Sequence, residues 1–137
     1  MKRSDRVLPD TNTILRYLLN DEPILAEQAR VFWEDVREGR TQAVMTEGVL
    51  MECVYVLQRF YKVPRPVIAE KLSGLLSYKG LFDEGKELFE ASLNVYSRTT
   101  FDFVDCLLHS SEMAGMGTVF SFDEKLNKYR NRKDQER

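Results

Sequence analysis

The chain is expected to be a three-layer α/β protein in which short parallel strands lie between helices, and three features of its sequence carry this expectation. Short apolar runs alternate with longer segments whose apolar positions recur at helical spacing, a pattern that implies parallel strands joined by right-handed crossovers. The first such run leads directly into a polar turn, Asp10-Thr11-Asn12. The 137 residues, 43% of them apolar, contain no internal repeat, low-complexity tract or linker, so one core in one domain is expected.

The elements follow in order. Val7 and Leu8 form the first strand, and Ile14, Leu15, Leu18 and Leu19 set the apolar face of the helix behind it. Asp10 thus falls where a strand ends, the place at which open α/β sheets bind ligands. Asp, Thr and Asn are also good helix N-caps, so position alone leaves a structural and a functional reading of Asp10 open. Asn20-Asp21-Glu22-Pro23 supplies a cap and a first-turn proline for a second helix, with Leu25, Ala29, Phe32, Trp33 and Val36 on one face and an end near Gly39.

Gln42 to Met45 reads as a second strand, after which Thr46 caps a third helix from about Glu47 to Phe60. Lys62-Val63-Pro64-Arg65-Pro66 breaks it. Val67, Ile68, Leu72, Leu75 and Leu76 mark a fourth helix, Gly80-Leu81-Phe82 a third strand, and Leu88, Ala91, Ser92 and Val95 a fifth helix. Thr99 and Thr100 open a helix expected over Phe101 to Met113, and Thr118-Val119-Phe120 is expected as a last strand leading into Ser121-Phe122-Asp123. From Glu124 the composition shifts to Lys125, Lys128, Arg130, Arg132, Lys133 and Arg137, which reads as a solvated, frayed tail.

Composition narrows the function. A net charge of -2 gives no general basic field, so a polyanionic partner must be held by local patches or by metal ions. Cys53 and Cys106 form no CxxC pair and sit in apolar helical runs, as buried thiols of a reducing compartment do, although one long-range disulfide stays open. No apolar run approaches the ~18 residues that cross a bilayer, and MKRSDRV has no signal-peptide core, so a cytoplasmic location is expected.

Four acids hold chemical interest. On a helical wheel Val49, Leu50, Cys53, Val56, Leu57 and Phe60 make one stripe, with Glu52 at one border and Glu47 at the other, and position does not choose between them. In the helix from Phe101, the residues Phe101, Val104, Leu107 and Leu108 are placed on the core face, Asp105 at its border and Asp102 further toward solvent. Thr99 and Asp102 have the spacing of a capping box, which favours Asp105 for the site and a capping or supporting role for Asp102. Asp123 follows the last run as Asp10 follows the first. Were these carboxylates to converge, their repulsion would demand a cation, and a donor set of carboxylates with one histidine in the chain selects Mg²⁺ or Mn²⁺ over Zn²⁺. Surface acids on helices are also common, and the bland alternative is that some of them only cap or solvate.

Taken together, Asp10-Thr11-Asn12 with Ile14-Leu15-Arg16, Val49 to Leu57 around Glu52, Asp102-Phe103-Val104-Asp105-Cys106-Leu107-Leu108, and Ser121-Phe122-Asp123 resemble a PIN domain, most closely the VapC-type toxin ribonucleases. The resemblance implies a three-layer α/β/α domain over residues 1–126 with a central parallel sheet of four or five short strands, followed by a charged C-terminal tail at 127–137. It implies that Asp10, Glu52, Asp105 and Asp123 are catalytic and metal-binding, with Thr11, Asn12, Asp102 and Ser121 supporting them. A final strand after the last acid has no convincing counterpart in the charged tail.

The expected function is metal-dependent endoribonucleolytic hydrolysis by the toxin of a toxin-antitoxin pair, with Mg²⁺ or Mn²⁺ as cofactor, RNA as substrate, a cognate antitoxin as partner and a homodimer as assembly. RNA is expected along Arg16, Arg59, Lys62 and the region from Lys125 to Lys133. His109, one turn beyond Asp105, reads as a core or supporting group. Tyr17, Trp33, Tyr55, Phe60 and Tyr61 are expected to leave a groove on the first three helices for the antitoxin. The alternative is a non-catalytic RNA- or protein-binding module of the same fold. A phosphatase with an aspartate nucleophile is disfavoured, because no second aspartate stands two positions after Asp10.

Overall fold

The structure, a computed structural model, describes residues 5–135; residues 1–4 of the expected domain and 136–137 of the expected tail lie outside the described residues. Its helices are α1 (Thr11–Leu19), α2 (Pro23–Arg37), α3 (Glu47–Arg59), α4 (Arg65–Leu76), α5 (Lys86–Arg98), α6 (Phe103–Met113) and α7 (Glu124–Gln135). Local chemistry explains their starts. Asp10 and Thr46 cap α1 and α3 with their side chains, and prolines open α2 and α4, where the missing N–H costs nothing. Asn20 ends α1 in the left-handed conformation that asparagine tolerates.

The helices pack α1 on α2 and α3, α3 on α4 and α6, and α5 between α4 and α6. Their shared core includes the fully buried Trp33, Leu50, Leu57, Ile68, Leu72, Leu93 and Tyr96. Each is one of the larger apolar side chains, whose burial is worth roughly 1.5–3 kcal/mol.

The expected sheet of four or five strands is not present among the described residues. Three of the four predicted strand segments lie side by side in parallel, joined by isolated bridges that pair Val7 with Ala43 and Ala43 with Leu81. Ala43 is therefore central. Val44 N–H donates to Val7 O and Phe82 N–H to Ala43 O, each at 2.9 Å. The ladder stops there because the segments are so short: Pro9, two residues past Val7, has no N–H to extend it. The fourth segment, 118–120, pairs with nothing in this ladder, and the Val119 N–H goes instead to the Glu112 carboxylate at 2.7 Å.

Gly80 sits where the third segment crosses the end of α2. Its N–H donates to Val36 O at 2.8 Å, and a Cβ there would overlap the carbonyl oxygen of Thr41 and lie 2.7 Å from that of Val36.

The frayed tail is corrected too. Residues 124–135 are helical, with Leu126 and Tyr129 buried and Tyr129 in ring contact with Phe101 and His109. Two apolar residues three apart are enough to seat a helix when the opposite surface is wet, and counting charges alone overlooks them. The α6 face is also rotated from expectation: Phe103, Cys106 and Leu107 are buried, whereas Val104 and Leu108 are exposed. The helix also begins two residues later than the sequence suggests, and the α5–α6 turn before it is held by Arg65 of α4, through the carbonyls of Tyr96 and Phe101 and by stacking on the Tyr96 ring at 3.7 Å.

Candidate active site

The acids occupy helix starts. Asp10 precedes α1, Asp102 precedes α6, Asp105 lies in the first turn of α6, and Asp123 precedes α7, while Glu52 is exposed in the middle of α3. A helix N-terminus stabilises negative charge, which offsets part of the repulsion that gathered carboxylates generate.

Asp10 is gripped by Thr13, which donates to Oδ1 from its backbone N–H at 2.9 Å and from its hydroxyl at 2.8 Å. Those two bonds, the backbone one foremost, hold the carboxyl below the usual aspartate range. The side-chain brace is thus Thr13, whereas the resemblance implies Thr11 and Asn12. Its signal was in the sequence, since a threonine three residues after an N-cap aspartate can answer the cap with its own hydroxyl.

Asp123 is arranged similarly. Its Oδ1 accepts the Leu126 N–H, its own N–H donates to Ser121 Oγ, and Asn127 Nδ2 donates to Ser121 O, all at 3.0 Å. Asn127, placed in the tail by the sequence reading, therefore fixes the loop that carries an acid.

The acids fall into two groups. Burial raises the Cys53 thiol to about 12, and the charges of Glu52 and Asp10 add to that rise. The half-buried Asp105 is raised from the ordinary aspartate value first by burial and then by the charges of Asp102 and Asp123. Glu52 and Asp10 thus form one group, Asp105 with Asp102 and Asp123 the other.

The capping box drawn from Thr99 and Asp102 does not form. Thr99 Oγ1 donates to Val95 O at 2.9 Å and receives the Phe101 N–H, while Asp102 makes no side-chain capping bond. Its carboxylate acts on Asp105 instead, and it lines a cleft of about 360 Å³ between α3 and α6 with Tyr55, Gln58 and Arg59.

Arg16 spends its Nη donors within the fold. It is buried, with Nη1 on Asp21 and Glu22 at 2.8 and 2.6 Å and Nη2 on the Tyr61 hydroxyl at 3.0 Å. The expectation of an RNA-binding Arg16 is therefore replaced by a clamp across the α1–α2 turn and the end of α3. Arg59, Lys62, Lys125, Lys128 and Arg132 are exposed, and the Lys133 side chain lies outside the described set. The expected aromatic groove also loses members: Trp33 is buried, and Tyr17 stacks on it at 6.0 Å. Tyr55, Phe60 and Tyr61 remain exposed.

The donor set fits a hard divalent cation in kind. The thiols of Cys53 and Cys106 are buried, unpaired with each other and raised to about 12 and 11, and His109 is buried against Tyr129, which leaves carboxylate oxygens as the accessible ligands. Among the described residues, no group of three or more His, Cys, Asp or Glu side chains is close enough to enclose an ion. Two of the acids are turned back onto their own helices by capping, each through one oxygen of a carboxylate that has two.

Comparison with known proteins places the arrangement. The PIN domain profile matches residues 7–131, and the chain belongs to the PIN domain family. A VapC ribonuclease of Aquifex aeolicus (strain VF5) is 28% identical to it over 122 residues, covering 88% of this chain and 90% of that protein. No solved structure matches it. No helix among the described residues is long and apolar enough to cross a membrane.

Proposed function

We propose that the protein is a divalent-metal-dependent endoribonuclease and the toxin of a toxin-antitoxin pair, with the three-layer architecture of its family. What supports this reading best is membership of the PIN domain family and the likeness to a VapC ribonuclease, together with the half-buried Asp105 on which the charges of Asp102 and Asp123 act.

Asp10, Glu52, Asp105 and Asp123 would hold Mg²⁺ or Mn²⁺ through carboxylate oxygens. When bound, the ion supplies charge neutralisation at the scissile phosphate and a lowered pKa for a water molecule. The protein's own contribution is orientation. Thr13 fixes the first acid, Ser121 and Asn127 fix the loop of the last, and Arg65 fixes the turn from which Asp102 and Asp105 project. The expected products carry 5′-phosphate and 3′-hydroxyl ends.

A cleft of about 240 Å³ between α1 and α2, with Leu25 and Phe32 beside Asn12 and Thr13, supports an antitoxin segment docking next to Asp10. A homodimer is part of the same proposal. Cleavage of total RNA with and without Mn²⁺, by wild type, Asp10→Asn and Asp105→Asn, tests it: activity that survives both substitutions would overturn it. The absence of three mutually close ligands among the described residues favours a second reading, a binding module of the same fold, and an inert wild-type protein that still captures RNA would establish that one.

A further inference from the structure

Phe120 and Phe122 are 86% and 90% exposed, yet the loop that carries them is tied down. Glu112 holds the Val119 N–H, Asn127 holds Ser121 O, and Asp123 caps α7, so every second residue from 119 to 123 is anchored while the two rings between them stand in water. The ring centroids are 5.3 Å apart at 68°. Burying two such rings would stabilise any fold, so their fixed display beside Asp123 calls for a ligand with flat apolar faces.

Their surroundings identify its chemistry. Behind Phe120 a cavity of about 230 Å³ has Leu108 and Met116 as apolar walls, Ser111 and Thr118 as polar ones, and Glu112, neutralised by Arg130, a lining with room for one heteroaromatic base. On α7, which starts at the next residue after Asp123, Lys125, Lys128 and Arg132 are all exposed and fall within about 60° of one another around the helix. Rings flanked by a cationic stripe fit a polyanion with π-faces.

We propose that Phe120 and Phe122 are a stacking platform for unpaired bases next to the scissile phosphate, and that the same RNA strand continues along Lys125, Lys128 and Arg132. This rests on the nuclease reading and assigns to its site the two rings that receive bases free to leave their stack.

The test uses full-length Asp105→Asn protein, chosen to separate binding from cutting, and labelled oligouridylate and oligoadenylate containing 2-aminopurine. Phe120→Leu and Phe122→Leu, which keep apolar bulk, should each weaken binding about tenfold and abolish the 2-aminopurine quenching, with an unchanged salt dependence. Lys128→Gln should keep the quenching and reduce the slope of log affinity against log salt by about 0.7. Unchanged affinity and quenching in both Phe variants would overturn the proposal. So would unchanged RNA binding with a dimer-to-monomer shift in light scattering, which would make the rings an interface between copies. Ring-dependent RNA binding by a wild-type protein that does not cleave would leave the platform standing and remove the nuclease reading; cleavage that ignores both rings would do the reverse.

Discussion

Arg130 of α7 grips both carboxylate oxygens of Glu112 on α6, with Nε 2.8 Å from one and Nη2 2.6 Å from the other. Both side chains are largely buried, and the pair holds the helix that follows Asp123 against the helix that carries Asp105. The guanidinium, with help from the Val119 N–H, lowers the Glu112 carboxyl to about 2. A carboxyl whose folded pKa lies below its unfolded value stabilises the fold above the unfolded pKa and stops doing so as pH falls through the folded one.

The pair's contribution should therefore be complete above about pH 5 and fade between there and about pH 2. Glu112→Gln should cost about 2 kcal/mol at neutral pH, with the gap to wild type closing on acidification. Urea melts of both proteins at several pH values measure this, and a gap that widens toward low pH would contradict it.

Arg16→Ala should destabilise the protein by about 2–3 kcal/mol, because it empties a buried position and strips Asp21, Glu22 and the Tyr61 hydroxyl of their shared donor. It should leave the salt dependence of RNA binding where it was. Arg59→Ala, at an exposed position, should do the opposite. Melting curves paired with binding isotherms at two salt concentrations separate the two roles.

Asp102→Asn breaks no capping bond, so its stability should stay within about 0.5 kcal/mol of wild type. Any effect should appear in catalysis, as a reduced rate and a higher Mn²⁺ requirement, through the charge it places beside Asp105. Wild-type rates in Asp102→Asn at limiting Mn²⁺ would restrict the second group to Asp105 and Asp123.

Millimolar Mn²⁺ should raise the melting temperature of the wild type by mass action on the folded state, and raise that of Asp105→Asn much less. Equal shifts in the two proteins would detach the ion from Asp105. A chelator should reverse the wild-type shift in full.

The helices were legible because their signals are local: Thr46 before α3, Pro23 in α2 and Pro66 in the first turn of α4 mark starts that need no tertiary context. The strands were only partly so. Val7, Ala43 and Leu81 do align in parallel, but a run such as 118–120 is as apolar as a strand and pairs with nothing in that ladder, since a side chain from α6 takes its N–H. In the candidate site, motif spacing located the acids; Thr13 was legible from its place three residues after the capping aspartate, whereas Asn127 was not, because it acts on a carbonyl brought near by a turn. Arg16 misled for a related reason: a guanidinium near the first acidic motif invites a binding role, and only the α1–α2 turn reveals its carboxylate partners.

Gly80 has a consequence for genetics. With the Thr41 and Val36 carbonyls closing over its Cα, even alanine forces the third segment away from Ala43 and from the end of α2. If the protein arrests growth, a selection for survivors will recover substitutions at position 80 as readily as substitutions of the acids. Such alleles would be silent at high temperature and regain toxicity in the cold, a conditional phenotype that no change of a carboxylate ligand should give, and one that sorts folding lesions from chemical ones without purifying a protein.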